Sequence, residues 1–368
     1  MSKKFKYQVI AKALSVYCAA TGQKICTNIP KSPDFKTIIV YSTTALGDFM
    51  FATPAIRSLR LRFPQARIAL VVHEKFRSFI NEQYQQVDEV FYYGSEWHGF
   101  FKFVGQLRKF APEAAVLFHS HPPYDIASAV LANCCYLFKG GYSEQFSAFE
   151  PFFTYHSGHF QSAHLVTARL DLIKPLGCQT DNVDMQIPCE YPHYPRIKDK
   201  FVIGFQMGTS QASRGRRWPV ESYVSLARQL IRRSERVEIV LVGIHSEQEL
   251  AQQFFSLLPQ NIHNRIIDQV GKTTLPELLG ILEQMDLLVT PDTGTMHLAV
   301  ALKTPLAVIL PSLVSNGAEP IQDKEIHILI RPTKEVIDNN QIDASNSISP
   351  DDVFEAIVTK WAEYIAEI

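Results

Sequence analysis

Leu288-Val289-Thr290-Pro291-Asp292-Thr293-Gly294-Thr295-Met296-His297-Leu298-Ala299-Val300-Ala301 reads as the end of a buried strand, a tight polar turn and the start of an apolar helix. The side-chain oxygens of Asp292, Thr293 and Thr295 suit them to cap or turn the backbone there. Gly294 has no Cβ, so a ligand can come close to the main chain. Such a helix start offers unpaired N–H groups and a partial positive charge, a place for a phosphate. His297 falls in the first helical turn, within reach of the same ligand.

Outward from this stretch the same unit recurs. Residues 37–42 form a buried strand by their β-branched run, ending in Thr43-Thr44-Ala45-Leu46-Gly47-Asp48 before a helix over 49–63. Residues 67–72, 89–93 and 114–118 are further strands separated by helix-length segments. The three prolines between Ile187 and Pro195 cannot sustain a helix or central strand and mark a linker. The pattern then restarts, with strands at 201–205, 237–242, 262–267 and 286–290 and a last one at 304–310. Helices are read over 220–232, 246–257 and 275–285, and a closing amphipathic one over 350–368 with Val353, Ile357, Trp361 and Ile365 on one stripe. Alternation of this kind predicts an α/β fold, parallel sheets covered on both faces. Glycine turns at strand ends recur at Gly47, Gly208 and Gly294, the carboxyl edge where such sheets bind ligands.

A chain of 368 residues is long enough for two cored domains, and 46% hydrophobic with 20% charged residues is ordinary for a globular protein. The net charge of −1 hides a mild split. Through Pro195 there are 19 Lys+Arg against 15 Asp+Glu (+4), and 17 against 22 beyond it (−5). No basic run speaks for a nucleic-acid partner. The six cysteines form no CxxC pair and no zinc-type spacing, which argues against a metal site and fits a reducing compartment. No 18-residue apolar stretch spans a bilayer. Residues 1–22 read as a basic amphipathic helix with Val9, Ala13, Val16 and Tyr17 on one side, suited to pack on the protein or to lie on an anionic membrane.

Three constellations could carry chemistry. Asp48 at the end of the first strand serves either as a helix N-cap or, placed against a hydroxyl, as a general base. Gly208, Thr209 and Ser210, followed by Arg214, Arg216 and Arg217, offer N–H, O–H and guanidinium donors to an anion. The alternative for the arginines is a solvated loop. There is no GxxxxGK[ST] and no GxGxxG, so neither a P-loop nor a nicotinamide-type site is supported. Glu247 could accept from ribose hydroxyls or simply sit exposed in a first helical turn. His119 and His121 follow the strand at 114–118. Trp97-His98-Gly99-Phe100-Phe101-Lys102-Phe103 suits either a membrane interface or the core.

In this order and spacing, Leu46-Gly47-Asp48 with Thr53-Pro54-Ala55-Ile56-Arg57, then Arg216-Arg217-Trp218-Pro219, then Asp292 to Ala299 resemble glycosyltransferase family 9, the ADP-heptose:lipopolysaccharide heptosyltransferases. The resemblance covers residues 37–310. It implies the GT-B fold: two Rossmann-like domains with parallel sheets facing an interdomain cleft. The expected division is an N-terminal extension (1–36), an acceptor-binding domain (37–187), a linker (188–198), a nucleotide-sugar domain (199–349) and a C-terminal helix (350–368) returning toward the first domain. Asp48 would be the base of an inverting transfer from ADP-heptose to the lipopolysaccharide inner core on lipid A. Gly208, Thr209, Ser210, Arg214, Arg216, Glu247, Asp292, Thr293, Gly294 and His297 would hold the donor. Arg216 stands where the family usually has a lysine, which alters the fork geometry. Arg57, Arg60, Arg62, Arg77, His119 and His121 are candidates for the acceptor. The resemblance implies no metal and no cofactor, and a cytoplasmic enzyme with peripheral contact to the inner membrane. The competing readings are a different nucleotide-sugar donor, a GT-B sugar-nucleotide epimerase and a non-catalytic saccharide-binding protein. Two departures stand out: the extension itself, and Pro311-Ser312-Leu313-Val314-Ser315-Asn316 in place of a Gly-Pro-Thr turn.

Overall fold

The computed structural model describes residues 3–94, 99–120, 122–158, 164–209, 217–310, 315, 317–332 and 347–362. It divides into two compact units, Met1–Cys189 and Glu190–Ile368. The first holds β1 (Thr37–Ser42), β2 (Arg67–Val72), β3 (Glu89–Tyr92), β4 (Ala114–His119), β5 (Tyr136–Lys139) and β6 (Tyr155–His156). They form one parallel sheet in the order β3-β2-β1-β4-β5-β6. The second unit holds β7 (Phe201–Gln206), β8 (Val237–Val242), β9 (Ile266–Asp268), β10 (Leu287–Pro291), β11 (Leu306–Ile309) and β12 (His327–Ile330), ordered β12-β11-β10-β7-β8-β9 and again parallel. Counted from its own first strand, each sheet reads 3-2-1-4-5-6, the doubly wound order with its switch point between strands 1 and 4. The central strands β1, β7 and β10 are buried almost throughout, which is why they read as unbroken apolar runs.

Helices α1 (Lys3–Thr21), α2 (Leu46–Arg62), α3 (Phe100–Phe110), α4 (Tyr124–Leu131) and α5 (Leu165–Ile173) belong to the first unit. Helices α6 (Val220–Arg233), α7 (Gln248–Leu257), α8 (Leu275–Glu283), α9 (Gly294–Ala301) and α10 (Pro350–Lys360) belong to the second. α6 shows the common logic: Val220, Tyr223, Val224, Ala227, Leu230 and Ile231 face the core, and Arg232 and Arg233 complement the dipole in its last turn. α8 starts in a capping box, with Thr274 Oγ1 accepting from Glu277 N–H and Glu277 Oε2 from Thr274 N–H.

Five elements differ from the expectation. α1 buries Tyr7, Ala11 and Leu14 and leaves Val9 and Val16 exposed. The aromatic stripe wins because Tyr7 has more surface to bury, its ring packing at a tilt 5.9 and 5.6 Å from those of Phe146 and Phe149 and its hydroxyl donating to the Pro122 carbonyl. The stretch 262–267 is strand only at its end. Pro259 opens a 3₁₀ turn over Gln260–Arg265, whose two asparagines are poor strand formers. The strand at 304–310 is not the last, since β12 adds an edge strand. β5 and β6 were too short to carry a periodicity.

The boundary between the units falls within residues 188–198. Beyond it the proline-rich segment is fastened to the second unit: Tyr191 and His193 meet the two oxygens of Glu283, and Arg196 pairs with Asp286. α10 begins with Ser349 Oγ accepting from Asp352 N–H, buries Val353 and Ile357, and packs on α6 and β12 of its own unit. Ile365 lies outside the described residues.

His327, at the start of β12, is buried with neither ring nitrogen hydrogen-bonded among the described residues. Burial lowers its pKa from 6.5 to about 4, against the opposing pull of Asp323 and Glu325. The unfolded chain therefore takes up a proton that the folded one refuses. Stability should be fully present above the unfolded value and fall as pH drops from 6.5 toward 4. Urea midpoints at about pH 7 and about pH 4.5 should differ less in His327→Leu than in the parent.

Candidate active site

In the first unit a bulge re-aims the end of the switch. The β1–β4 register shifts after Tyr41, so Ser42 stands opposite His119, and Thr43 N–H donates to the His119 carbonyl at 2.9 Å. The next residue, Thr44, donates from Oγ1 to Asp48 Oδ2 at 2.7 Å and touches His119 Nδ1. A hydroxyl has one proton to give, so His119 must donate Nδ1–H to Thr44, which fixes that ring tautomer. His119 Nδ1 also lies 3.3 Å from the same carboxylate oxygen.

Asp48 is the third residue of α2; the cap position belongs to Ala45, which makes no side-chain cap bond. The capping role is thus not the one its carboxylate plays. The side chain is 20% exposed and lines a cavity of about 450 Å³ with His119, Ser120, Lys139, Gly140, Gly141 and Arg169. Gly141, at φ +64°, turns the chain along its wall after β5.

Two cations in that wall carried no sequence motif. Lys139 ends β5 and is 4% exposed; Arg169, on α5, is fully buried. Burial lowers the Arg169 pKa to about 10, opposed by the charge of Asp48, so it stays cationic at neutral pH. Burial also lowers the Lys139 pKa; Asp125 opposes this and Arg169 adds to it. Asp125, in the first turn of α4, accepts from Ser120 Oγ.

The arginines expected to meet the acceptor are engaged elsewhere. Arg57 donates to the carbonyls of Asp184 and Asn182, and Arg62 to those of Leu176 and Pro33. Arg60 binds the Gln86 and Ala66 carbonyls and pairs with Asp88 at 2.6 Å. Arg77 lies 3.7 Å over the Tyr92 ring, near Glu74. They staple loops to the body of the unit, and none lines the cavity. His119 does; His121 lies outside the described residues.

In the second unit the turns after β7, β8 and β10 meet at Gln206. Its amide nitrogen donates to the Gly208 carbonyl at 3.3 Å and to Glu247 Oε2 at 3.2 Å, and its oxygen accepts from Thr295 Oγ1 at 3.4 Å. A polar residue ending an apolar strand was the available signal for it. Glu247 is buried, not a surface residue of the first turn. Burial raises its pKa, opposed by the Ile244 N–H, the Gln206 amide and Arg217. Its carboxylate fills the space beside Gly208, where a Cβ would come 1.8 Å from Oε1. Arg217 clasps Thr209, donating to its hydroxyl and carbonyl at 3.2 and 3.0 Å. Ser210, Arg214 and Arg216 lie outside the described residues.

Thr293 occupies the cap position of α9 without a side-chain cap bond; its hydroxyl is 3.4 Å from that of Thr290. Gly294 is the first helical residue. The first N–H groups of α9 thus receive no capping oxygen from Thr293, the condition for receiving an anion. His297 Nε2 lies 3.8 Å from Asp292 Oδ1, beyond hydrogen-bond range. Among the described residues no group of three or more His, Cys, Asp and Glu side chains could hold a metal ion.

A family model described as glycosyltransferase family 9 (heptosyltransferase) matches residues 123–340. The lipooligosaccharide heptosyltransferase 2 of Haemophilus influenzae is 28% identical over 128 residues, 35% of this chain and 36% of that protein. The lipopolysaccharide heptosyltransferase 2 of Salmonella typhimurium is 26% identical over 163 residues, 44% of this chain and 45% of that protein. The chain thus matches about a third to under half of these relatives' length. In fold it is similar to the glycosyl transferase family 9 crystal structure from Veillonella parvula, with a TM-score of 0.72 and 20% identity over 91% of this chain and 100% of that one. Two Rossmann-like units with parallel sheets are the GT-B architecture expected above.

Proposed function

The chain belongs to glycosyltransferase family 9, and from that premise we propose that it moves a heptose from ADP-heptose to a sugar of the lipopolysaccharide inner core with inversion. The acceptor hydroxyl attacks the anomeric carbon while the bond from that carbon to the diphosphate breaks. Asp48 takes the hydroxyl proton, and ADP leaves with the electron pair. The observation that carries this reading is Asp48 itself: a carboxylate at the switch point, not used as a cap, held by Thr44 at 2.7 Å and open to a sugar-sized cavity.

Thr44 and His119 orient the carboxylate. The Nδ1–H of His119 polarises the Thr44 hydroxyl toward Oδ2, leaving the other oxygen for substrate. On the donor side, the uncapped start of α9 and the N–H groups around Gly208 and Thr209 would face the diphosphate. Gln206 and Glu247 would keep that loop in place, with Arg214 and Arg216 adding charge. A helix end and fixed cations can carry the leaving group's charge without a metal. Incubation with ADP-heptose and a truncated core saccharide tests this. Product that forms in EDTA supports it; transfer from UDP-sugars in preference to ADP-heptose would replace the donor assignment.

Peripheral membrane contact is part of the proposal. No helix among the described residues is long and apolar enough to cross a bilayer. α1 carries four lysines and no acidic residue, and exposes Phe5, Val9 and Val16. That pairing fits an anionic headgroup surface. Vesicles with about a third phosphatidylglycerol should pull the protein down at low salt, and Phe5→Ser with Lys12→Gln should abolish this.

A further inference from the structure

Helix α1 has two working faces. Tyr7, Ala11 and Leu14, spaced i, i+4 and i+7, are buried against the first unit. Phe5, Val9, Lys12 and Val16 repeat that spacing two residues out of step. A step of two residues turns a helix by about 200°, so this second stripe lies on the opposite side. There Phe5, Val9 and Val16 are 53%, 49% and 62% exposed. With Lys3, Lys4, Lys6 and Lys12 and no acidic residue, the helix is cationic around an apolar stripe, which an anionic bilayer complements and a neutral one does not.

The inner face rests on the walls of the Asp48 cavity. Tyr7 donates to the Pro122 carbonyl at 3.4 Å, and Lys6 donates to the Tyr124 hydroxyl at 3.3 Å while lying 5.0 Å over its ring. Pro122 and Tyr124 follow His119 and Ser120 into α4. The Tyr7 ring also packs against Phe146 and Phe149 of the 3₁₀ segment Glu144–Phe152. Pro122, Gln145 and Phe146 line the cavity from these same two segments.

We propose that α1 couples a bilayer to the cavity: an anionic lipid surface on its outer face steadies the two wall segments held by its inner face. The coupling rests on the proposed function for the lipid contact and for the use of the cavity, and adds that the two are linked. A helix of this length is marginal by itself and keeps its form through packing. Lipid that binds the docked helix better than the frayed one stabilises the docked state. It thereby slows every opening of the walls that requires α1 to leave, with no lipid in the cavity itself.

Hydrogen–deuterium exchange of the full chain tests this at low salt, alone, with vesicles of about a third phosphatidylglycerol in phosphatidylcholine, and with phosphatidylcholine alone. In the anionic arm amides of Lys3–Thr21 should exchange more slowly, and those of α4 and Glu144–Phe152 should slow with them by about threefold or more. Neutral vesicles should change neither. Tyr7→Ala keeps the outer stripe, so it should still sediment with anionic vesicles while α4 and Glu144–Phe152 gain no protection. Tyr7→Phe keeps the ring and should recover most of that protection. Thermal melts confirm folding, and Tyr7→Leu takes the place of an alanine variant that does not fold. Sedimentation with protection confined to α1, faster exchange in the wall segments, or parental protection in Tyr7→Ala would overturn the coupling alone. Failure of the parent to sediment would overturn it together with the membrane contact. Exchange is read without donor or acceptor, so absent heptosyl transfer counts only against the proposed function.

Discussion

Asp48→Asn is expected to lower kcat by about 10²–10⁴-fold while leaving nucleotide affinity unchanged. Asparagine can still accept from Thr44, so the geometry of the turn survives and only the basicity is lost. The fold should hardly respond. Asp48 is not the cap of α2, and its favourable place near the helix start contributes about 0.3–1 kcal/mol. Single-turnover rates with donor saturating, alongside ADP binding by calorimetry, separate the two effects. A variant that transfers heptose at the parent rate would move the base to another residue. His119→Asn should be milder, since it removes the ring that polarises Thr44 and leaves the base in place.

The largest effect on stability is expected from Trp218→Ala, at about 3–5 kcal/mol. The indole is 1% exposed, packs edge-on against Tyr223 at 4.7 Å, and donates from Nε1 to the Ile348 carbonyl at 2.8 Å. It thereby fastens the chain ahead of α10 to the core under α6. Removal leaves a cavity and an unanswered carbonyl, and a loss of that size should lower Tm by roughly 6–20 °C in a unit of this length. Tyr223 in turn donates to the Gln206 carbonyl at 2.9 Å, so nucleotide binding should weaken together with the fold. Trp218→Phe fills most of the space but cannot donate, and should cost about 1–3 kcal/mol. A melt within about 2 °C of the parent for the alanine variant would contradict this account.

The aromatic in the Arg-Arg-Trp-Pro run shows how legibility divides. Its position was visible, but its work is apolar burial, and Arg217 beside it holds Thr209 instead of standing free. Strands with long β-branched runs, such as β1 and β8, could be read because burial on both faces leaves no polar interruptions. β5, β6 and β12 could not, since two to four residues carry no period. Asp48 was visible because a turn between strand and helix confines where a carboxylate can point. Thr44 and His119 were not connected to it, because a bulge between strands 75 residues apart brings them together. Arg57, Arg60 and Arg62 misled for the opposite reason: their long side chains reach carbonyls as far as 127 residues away, and the end of such a reach leaves no trace in local sequence. Lys139 and Arg169 are lone cations in apolar segments, and only the cavity distinguishes them.

Both halves follow one wiring diagram. Where strand 1 and strand 4 part company, the connections leave toward opposite faces, and a crevice opens without any side chain having to specify it. Everything chemical then resides in the segments hung at that seam, while the sheets beneath stay as they are. On the proposed function, donor preference and acceptor preference sit in separate sets of segments on separate sheets, so one can drift while the other is held. Exchanging residues 119–146 for those of a relative is therefore the graft that should redirect the acceptor and leave the nucleotide untouched.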